Sequence, residues 1–144
     1  MKKIILFVFT IIALQQVNAQ MAVGYFPFQS IVAVTTNTEK KLWLDYKVET
    51  NTFFTNMNME LSAKFNFKNN KQYNLYVAPG FVFNFANPST GSPLANGYFI
   101  DFGSRINPLE KNNHVQLIFE LSPYVNYEFK SGNLRSRLGI AYQF

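Results

Sequence analysis

The chain has 144 residues, no cysteine and a formal net charge of +5 at pH 7. This length fits a single domain, and the absence of cysteine excludes both a disulfide scaffold and a thiolate metal site. Basic residues lie singly or in pairs among acidic ones, so the sequence has no basic stripe of the kind that binds nucleic acid.

The N-terminal segment has the three parts of a secretory signal peptide. Two lysines follow the initial methionine, residues 4–14 form an apolar run, and a small-residue cleavage site ends at Ala19. A membrane anchor helix is the alternative, but this run of eleven residues, interrupted only by Thr10, is too short to cross a bilayer core, which takes about 20 residues. We therefore predict that residues 1–19 are a signal peptide cleaved after Ala19, and that residues 20–144 form the mature domain.

Beyond residue 20 the apolar and polar residues alternate with a period of two. In the longest example, residues 114–129, one face is wholly apolar and the other is almost wholly polar. This period excludes an amphipathic helix. Sixteen residues are more than the five or six of a typical strand, and are enough to span a membrane when the strand is tilted. No later stretch approaches 18 consecutive apolar residues, so no transmembrane helix is predicted there.

Taken along the chain, the alternation predicts six clear strands, at residues 42–49, 57–67, 73–85, 98–106, 114–129 and 135–144. A weaker pattern predicts a seventh strand at residues 29–36. An eighth is to be sought in Met21–Phe28, with Pro27 breaking or kinking the chain before the next strand. If residues 22–36 formed one strand, the count would stay at seven.

The predicted connections are polar, and most of them are short. They lie at residues 36–40, about 50–56, 68–71, 86–95, 107–113 and 130–133, and the longest, 86–95, is rich in Pro, Gly and Ser. None leaves room for a crossover helix, so all of them suit antiparallel hairpins. The predicted fold class is all-β, an antiparallel up-and-down barrel with eight strands.

The period alone does not show which face of the barrel is apolar. In a soluble barrel such as a lipocalin the apolar face points inward, whereas in a transmembrane barrel it points to lipid. The polar face here combines small residues with acids and bases, as expected inside a narrow lumen. The inward charges are Asp45, Lys47, Glu60, Lys64, Asp101, Arg105, Glu120, Arg135 and Arg137. We predict a transmembrane β-barrel in which these charges form a neutralising network, rather than a proton or ion path.

The last strand adds a resemblance to a known class. Its apolar residues at every second position, Leu138, Ile140, Tyr142 and Phe144, resemble the C-terminal signature of bacterial outer-membrane β-barrel proteins. The resemblance implies that these four residues are the signal read by the barrel-assembly machinery, and that the partners are this machinery and outer-membrane lipid. It also implies a small eight-stranded barrel with its C-terminus in the periplasm. The connections at 130–133, 86–95 and about 50–56 would then face outward.

Little in the sequence points to chemistry. His114 is the only histidine, and the predicted topology places it at the periplasmic end. Two families of outer-membrane lipid A-modifying enzymes use a His and a Ser near the outer leaflet, whereas His114 would lie on the opposite side of the membrane. With no histidine pair, no metal site and no cofactor are predicted, and we interpret His114 as a hydrated turn residue. Trp43 is interpreted as a core plug, and Phe53-Phe54 as an aromatic girdle rather than an adhesive tip.

The sequence therefore predicts a small closed outer-membrane barrel with a structural or interaction role in the cell envelope, alone or with an envelope protein partner, and without catalytic activity. A narrow transport or small-ligand-binding barrel, porin-like in type, is the alternative. A soluble lipid-binding barrel is the third possibility.

Overall fold

The computed structural model describes residues 20–51, 58–85, 87–109 and 114–144. The predicted signal peptide with its cleavage site, the Phe53-Phe54 pair and most of the connection at 50–56 lie outside these residues. The described strands are β1 (Ala22–Phe26), β2 (Ile31–Thr35), β3 (Leu42–Glu49), β4 (Met59–Asn69), β5 (Tyr73–Phe83), β6 (Ala95–Ile106), β7 (Val115–Asn126) and β8 (Gly132–Gln143). A single 3₁₀ turn occupies Asn87–Thr90. None of the described helical segments is long and apolar enough to cross a membrane.

The eight strands form one closed barrel in which each strand pairs with its neighbours along the chain. All pairs are antiparallel, and β1 closes the barrel against β8 from Ala22↔Gln143 to Tyr25↔Ile140. Closure leaves no continuous free sheet edge, which is how a barrel satisfies the backbone groups of its strands. The predicted all-β antiparallel up-and-down barrel with eight strands is confirmed.

The N-terminal hairpin supplies the strand that the alternation pattern left uncertain. β1 ends at Phe26, Pro27 lies in the turn, and β2 begins at Ile31. The backbone N–H of Gln29 donates to the Phe26 carbonyl at 3.3 Å, and Ser30 adopts a positive φ of 53°. Two strands joined by a tight turn are therefore present, and the alternative of one strand over residues 22–36 is wrong.

Several predicted strand ends shift. β3 matches residues 42–49, whereas β4 runs two residues further than predicted, to Asn69, with an irregular register between Asn66 and Lys68. β7 stops at Asn126 instead of residue 129, and β8 starts at Gly132 instead of residue 135. The Asn126 side chain explains the early stop, because its Oδ1 accepts the backbone N–H groups of Lys130 and Ser131 at 2.9 and 3.1 Å.

The two faces of the barrel wall differ sharply in polarity. Large apolar side chains are exposed on the outer face, among them Leu44, Phe65, Ile100, Phe102, Leu121 and Ile140. Charged and amide side chains are buried on the inner face. This is the inverse of a lipocalin-type barrel, and it agrees with the predicted assignment of the faces.

The barrel has two distinct ends. The terminal end carries Gln20, Phe144 and the connections that follow β2, β4 and β6. The distal end carries the connections that follow β1, β3, β5 and β7. The inner side chains can therefore be ordered from one end to the other by the register of the strands.

Candidate functional site

The nine predicted lumenal charges all point into the barrel because they occupy the inward register of their strands. Asp45 and Lys47 lie on β3, Glu60 and Lys64 on β4, Asp101 and Arg105 on β6, Glu120 on β7, and Arg135 and Arg137 on β8. Eight of them are buried, and the side chain of Arg135, nearest the distal end, is 22% exposed. The structure distributes them over two clusters and one separate arginine.

The first group, the central ion cluster, consists of Asp45, Lys47, Lys64, Asp101 and Glu120. Lys47 Nζ lies 2.5 Å from Glu120 Oε2, 3.1 Å from Asp101 Oδ2 and 3.3 Å from Asp45 Oδ2. Lys64 Nζ contacts Asp45 Oδ2 at 2.7 Å and also forms an ion pair with Glu120 Oε1. Each buried charge in the cluster is thus paired, which is the condition under which charges are tolerated in an interior.

Tyr76, to which the alternation pattern assigns no role, completes the central ion cluster. Its hydroxyl donates to Glu120 Oε1 at 2.7 Å. Its ring lies 4.4 Å from Lys64 Nζ and packs edge-on against Trp43, with ring centroids 5.4 Å apart. The Trp43 Nε1–H in turn donates to Asn66 Oδ1 at 3.1 Å. The two rings therefore fill the lumen beside the charges, and Trp43 lies where a core plug was predicted.

The second group, the Glu60 ion triad, consists of Glu60, Arg135 and Arg137 and lies toward the distal end. Arg137 binds Glu60 through two parallel contacts, Nη1 to Oε2 at 2.8 Å and Nη2 to Oε1 at 2.6 Å. Arg135 Nη1 adds a third contact to Oε1 at 2.7 Å, and its Nη2 donates to Ser122 Oγ at 3.0 Å. Bidentate arginine–carboxylate pairs are among the strongest charge-assisted hydrogen bonds, so this triad holds β4 and β8 together across the lumen.

Arg105 belongs to neither cluster. Its Nη1 donates to Gln116 Oε1 at 3.0 Å, and its guanidinium carbon lies 4.7 Å from the centroid of the Trp43 ring. The ion pairs of the described residues include none to Arg105. The predicted single network is therefore divided in two, with one buried cation outside it.

Three carboxylates of the central ion cluster form the one grouping in the described ranges with the donor atoms of a cation site. Oxygens of Asp45, Asp101 and Glu120 lie within 4.8 Å of one another. The ammonium groups of Lys47 and Lys64 contact the same three carboxylates and offset two of their three negative charges. The three carboxylates are therefore already engaged by lysines, and the cluster fills the lumen as a set of ion pairs.

Glycines on the inner face make room for the aromatic rings. A Cβ atom on Gly103 would lie 2.5 Å from the ring of Tyr76, and one on Gly80 would lie 2.4 Å from the ring of Phe99. In each case the glycine and the aromatic residue are direct cross-strand partners on β5 and β6. Two of the small residues predicted for the lumen therefore have specific positions, each opposite a bulky ring.

We expect Gly103→Ala to destabilise the barrel by about 1–3 kcal/mol, because the added methyl group overpacks the lumen against the buried Tyr76 ring. Gly24→Ala is the matched control, since a Cβ there meets its nearest neighbours at 3.4–3.6 Å, an ordinary contact. Urea unfolding of both variants in detergent or vesicles measures the difference. Equal stabilities for the two variants would show that the Tyr76 ring can move aside at little cost.

The four residues of the C-terminal signature lie on the outer face. Leu138, Ile140, Tyr142 and Phe144 are 38%, 55%, 48% and 69% exposed. His114 lies beside them at the terminal end, where its Nδ1 is 2.7 Å from the Gln143 carbonyl oxygen and its ring stacks on Tyr142. It thus has specific contacts to β8, which the interpretation as a hydrated turn residue had not included.

No protein-family model matches the sequence, and no curated protein matches it. Among solved structures, the chain is similar to a protein described as "De novo design of transmembrane beta-barrels". The sequence identity is 19%, the TM-score is 0.53, and the match covers 88% of this chain and 92% of the designed one. At this identity the likeness concerns the fold, which the chain shares with a designed transmembrane β-barrel.

Proposed function

We propose that this chain is a closed β-barrel of the bacterial outer membrane that has a structural or interaction role in the cell envelope. The observation that carries the proposal is the inverted polarity of the wall, with apolar side chains exposed outside and ion pairs buried inside. Side chains such as Leu121 and Phe102 are about half exposed and would meet lipid tails. The signal peptide predicted for residues 1–19 supports export, and the outward signature from Leu138 to Phe144 supports recognition by the assembly machinery.

The filled lumen supports a closed barrel rather than a transport pore. An eight-stranded barrel has an interior just wide enough for its own side chains. Here the four carboxylates and five cations of the inner face lie among aromatic rings and glycines that interlock. The proposal therefore includes no substrate passage and no catalytic step.

The location is tested by fractionation of cells that express the full chain. We expect the protein in the outer-membrane fraction, and we expect it to migrate differently in SDS gels before and after boiling, because a closed hydrogen-bonded barrel resists detergent in the cold. Unfolded protein in the same fraction would not show this shift. Recovery as a soluble periplasmic protein would contradict the proposal.

Closure is tested by electrical recording. Purified, heat-modifiable protein in planar bilayers is expected to show no stable channel of porin size, since the central ion cluster and the Glu60 ion triad occupy successive levels of the lumen. A variant that carries Glu60→Gly, Arg135→Gly and Arg137→Gly is the matched comparison, because it removes all three side chains of the triad while leaving the central ion cluster intact. A steady large conductance from the unmodified protein would favour transport instead.

A further inference from the structure

The terminal end of the barrel opens into a cavity that the filled lumen does not explain. Its volume is about 800 Å³, within the range of about 300–1,000 Å³ of small-molecule sites. It is lined mainly by polar side chains from the turns and strand ends, and its buried members are Thr38, Asn74, Arg105 and Gln116. The described lining residues include none of the central ion cluster, so this is a pocket at one mouth and not a continuation of the plug.

Arg105 gives this cavity a chemical preference. Its side chain is 2% exposed, and its Nε finds no acceptor among the residues that the structure describes. A guanidinium has five N–H donors and keeps its charge at any physiological pH. A buried cation without a carboxylate is costly, and an anionic ligand in the cavity would remove that cost.

The other polar groups of the cavity wall are largely occupied by contacts within the wall. Asn69 and Asn107 donate through Nδ2 to the backbone carbonyls of Glu39 and Lys71, at 2.6 and 2.8 Å, whereas the Asn107 Oδ1 finds no donor among the described residues. Asn74 donates to the Thr38 carbonyl at 3.1 Å. The preference of the cavity for a ligand therefore depends mainly on charge. Lys71 at the rim adds to the positive charge of Arg105, and Glu39 at the rim opposes it.

We infer that this cavity binds a small oxyanion, a carboxylate or a phosphate group, through the Arg105 guanidinium. The planar fork of arginine matches both groups in two-point contacts, which a lysine in its place would not reproduce. The inference goes beyond the proposed envelope role and does not depend on it, because the cavity and its unpaired cation are properties of the folded chain in any membrane or micelle.

The chain contains an intrinsic fluorophore whose emission can report ligand binding. Trp43 is the single tryptophan, and its ring lies against the Arg105 guanidinium. Full-length protein in detergent micelles is titrated with sodium acetate and, separately, with inorganic phosphate, at an ionic strength held constant with chloride. We expect a saturable change in Trp43 emission. A response to acetate alone identifies carboxylates, one to phosphate alone identifies phosphate groups, and one to both identifies a general oxyanion site. No response beyond that of chloride overturns the inference.

Substitutions in the cavity wall test whether the oxyanion binds at Arg105. Arg105→Gln is expected to weaken oxyanion binding about ten-fold or more, because it removes a charge-assisted hydrogen bond from a buried guanidinium. Lys71→Ala should weaken it about two- to three-fold through the loss of a rim charge. Lys68→Ala is the matched control, since Lys68 lies near the end of β4, just before the same connection, but does not line the cavity.

Heat-modifiability first shows whether each variant has folded. If Arg105→Gln does not fold, the comparison of Lys71→Ala with Lys68→Ala still tests whether the oxyanion binds in this cavity. Equal affinities for these two variants, or unchanged affinity in a folded Arg105→Gln, would overturn the inference.

Discussion

Glu120→Ala is expected to destabilise the barrel by about 3–5 kcal/mol, the cost of removing one partner from a buried ion pair. Glu120 is the carboxylate that Lys47 and Lys64 share, and it also accepts the Tyr76 hydroxyl. Its removal takes away the one carboxylate that both ammonium groups share and leaves the buried Tyr76 hydroxyl without its acceptor. Reversible urea unfolding in lipid vesicles measures the change in the free energy of unfolding.

Glu128→Ala is the control for this experiment. Glu128 lies in the turn that follows the same strand, and its ion-pair partner is Lys130, a side chain that is 76% exposed. Exposed pairs contribute little, so the loss should be within about 0.5 kcal/mol. If Glu120→Ala unfolded at the same urea concentration as Glu128→Ala, the central ion cluster would not stabilise the fold.

Leu121→Arg is expected to cost about 2–4 kcal/mol in a bilayer, since it places a charge near the midplane on the lipid face. Leu121 lies near the middle of β7, on the outer face, and is 51% exposed. Unfolding in vesicles gives the free energy, and the same pair of proteins in detergent micelles shows how much of the effect depends on the bilayer.

Leu109→Arg makes the same substitution at the same exposure but at a different depth. Leu109 is 52% exposed and lies beyond the end of β6, outside the strands. Near a membrane interface the cost falls to about 0–1 kcal/mol. Equal costs at Leu121 and Leu109 would mean that the middle of the barrel wall is not in contact with lipid.

The period of two predicted the strands and their faces because that pattern depends only on which side of the wall a residue occupies. It did not predict where β7 ends. Tyr127 and Phe129 continue the apolar alternation past Asn126, and the turn is set instead by the side-chain contacts of Asn126 and the positive φ of 58° at Phe129. Side-chain hydrogen bonds of this kind leave no trace in an apolar–polar pattern.

The same limit applies to the lumen. Alternation places Glu60, Arg105 and Glu120 on the inner face, but not at a level along the barrel axis, because the level depends on the stagger between strands. The stagger sets Glu120 opposite Gly103 and Arg137, and it sets Arg105 opposite Asn74 and Ile118. Arg105 is separate because both of these register partners are uncharged, whereas Arg137, although opposite Glu120, binds Glu60 on the strand across the lumen. Tyr76 was missed for the same reason, since its partner Glu120 lies on a strand that is not its neighbour.

The closing seam between β1 and β8 has a consequence for how the chain reaches its native state. Four residue pairs join these strands, whereas eleven join β7 to β8, and the paired residues of the seam lie at opposite ends of the described chain. Contacts so distant in sequence form slowly, because the loop they close is long. Until Ala22 pairs with Gln143, β1 and β8 are edge strands that expose unsatisfied backbone groups. A nascent chain that lacks β8 therefore has no closed folded form available to it, and it needs protection from aggregation until its last strand has been made.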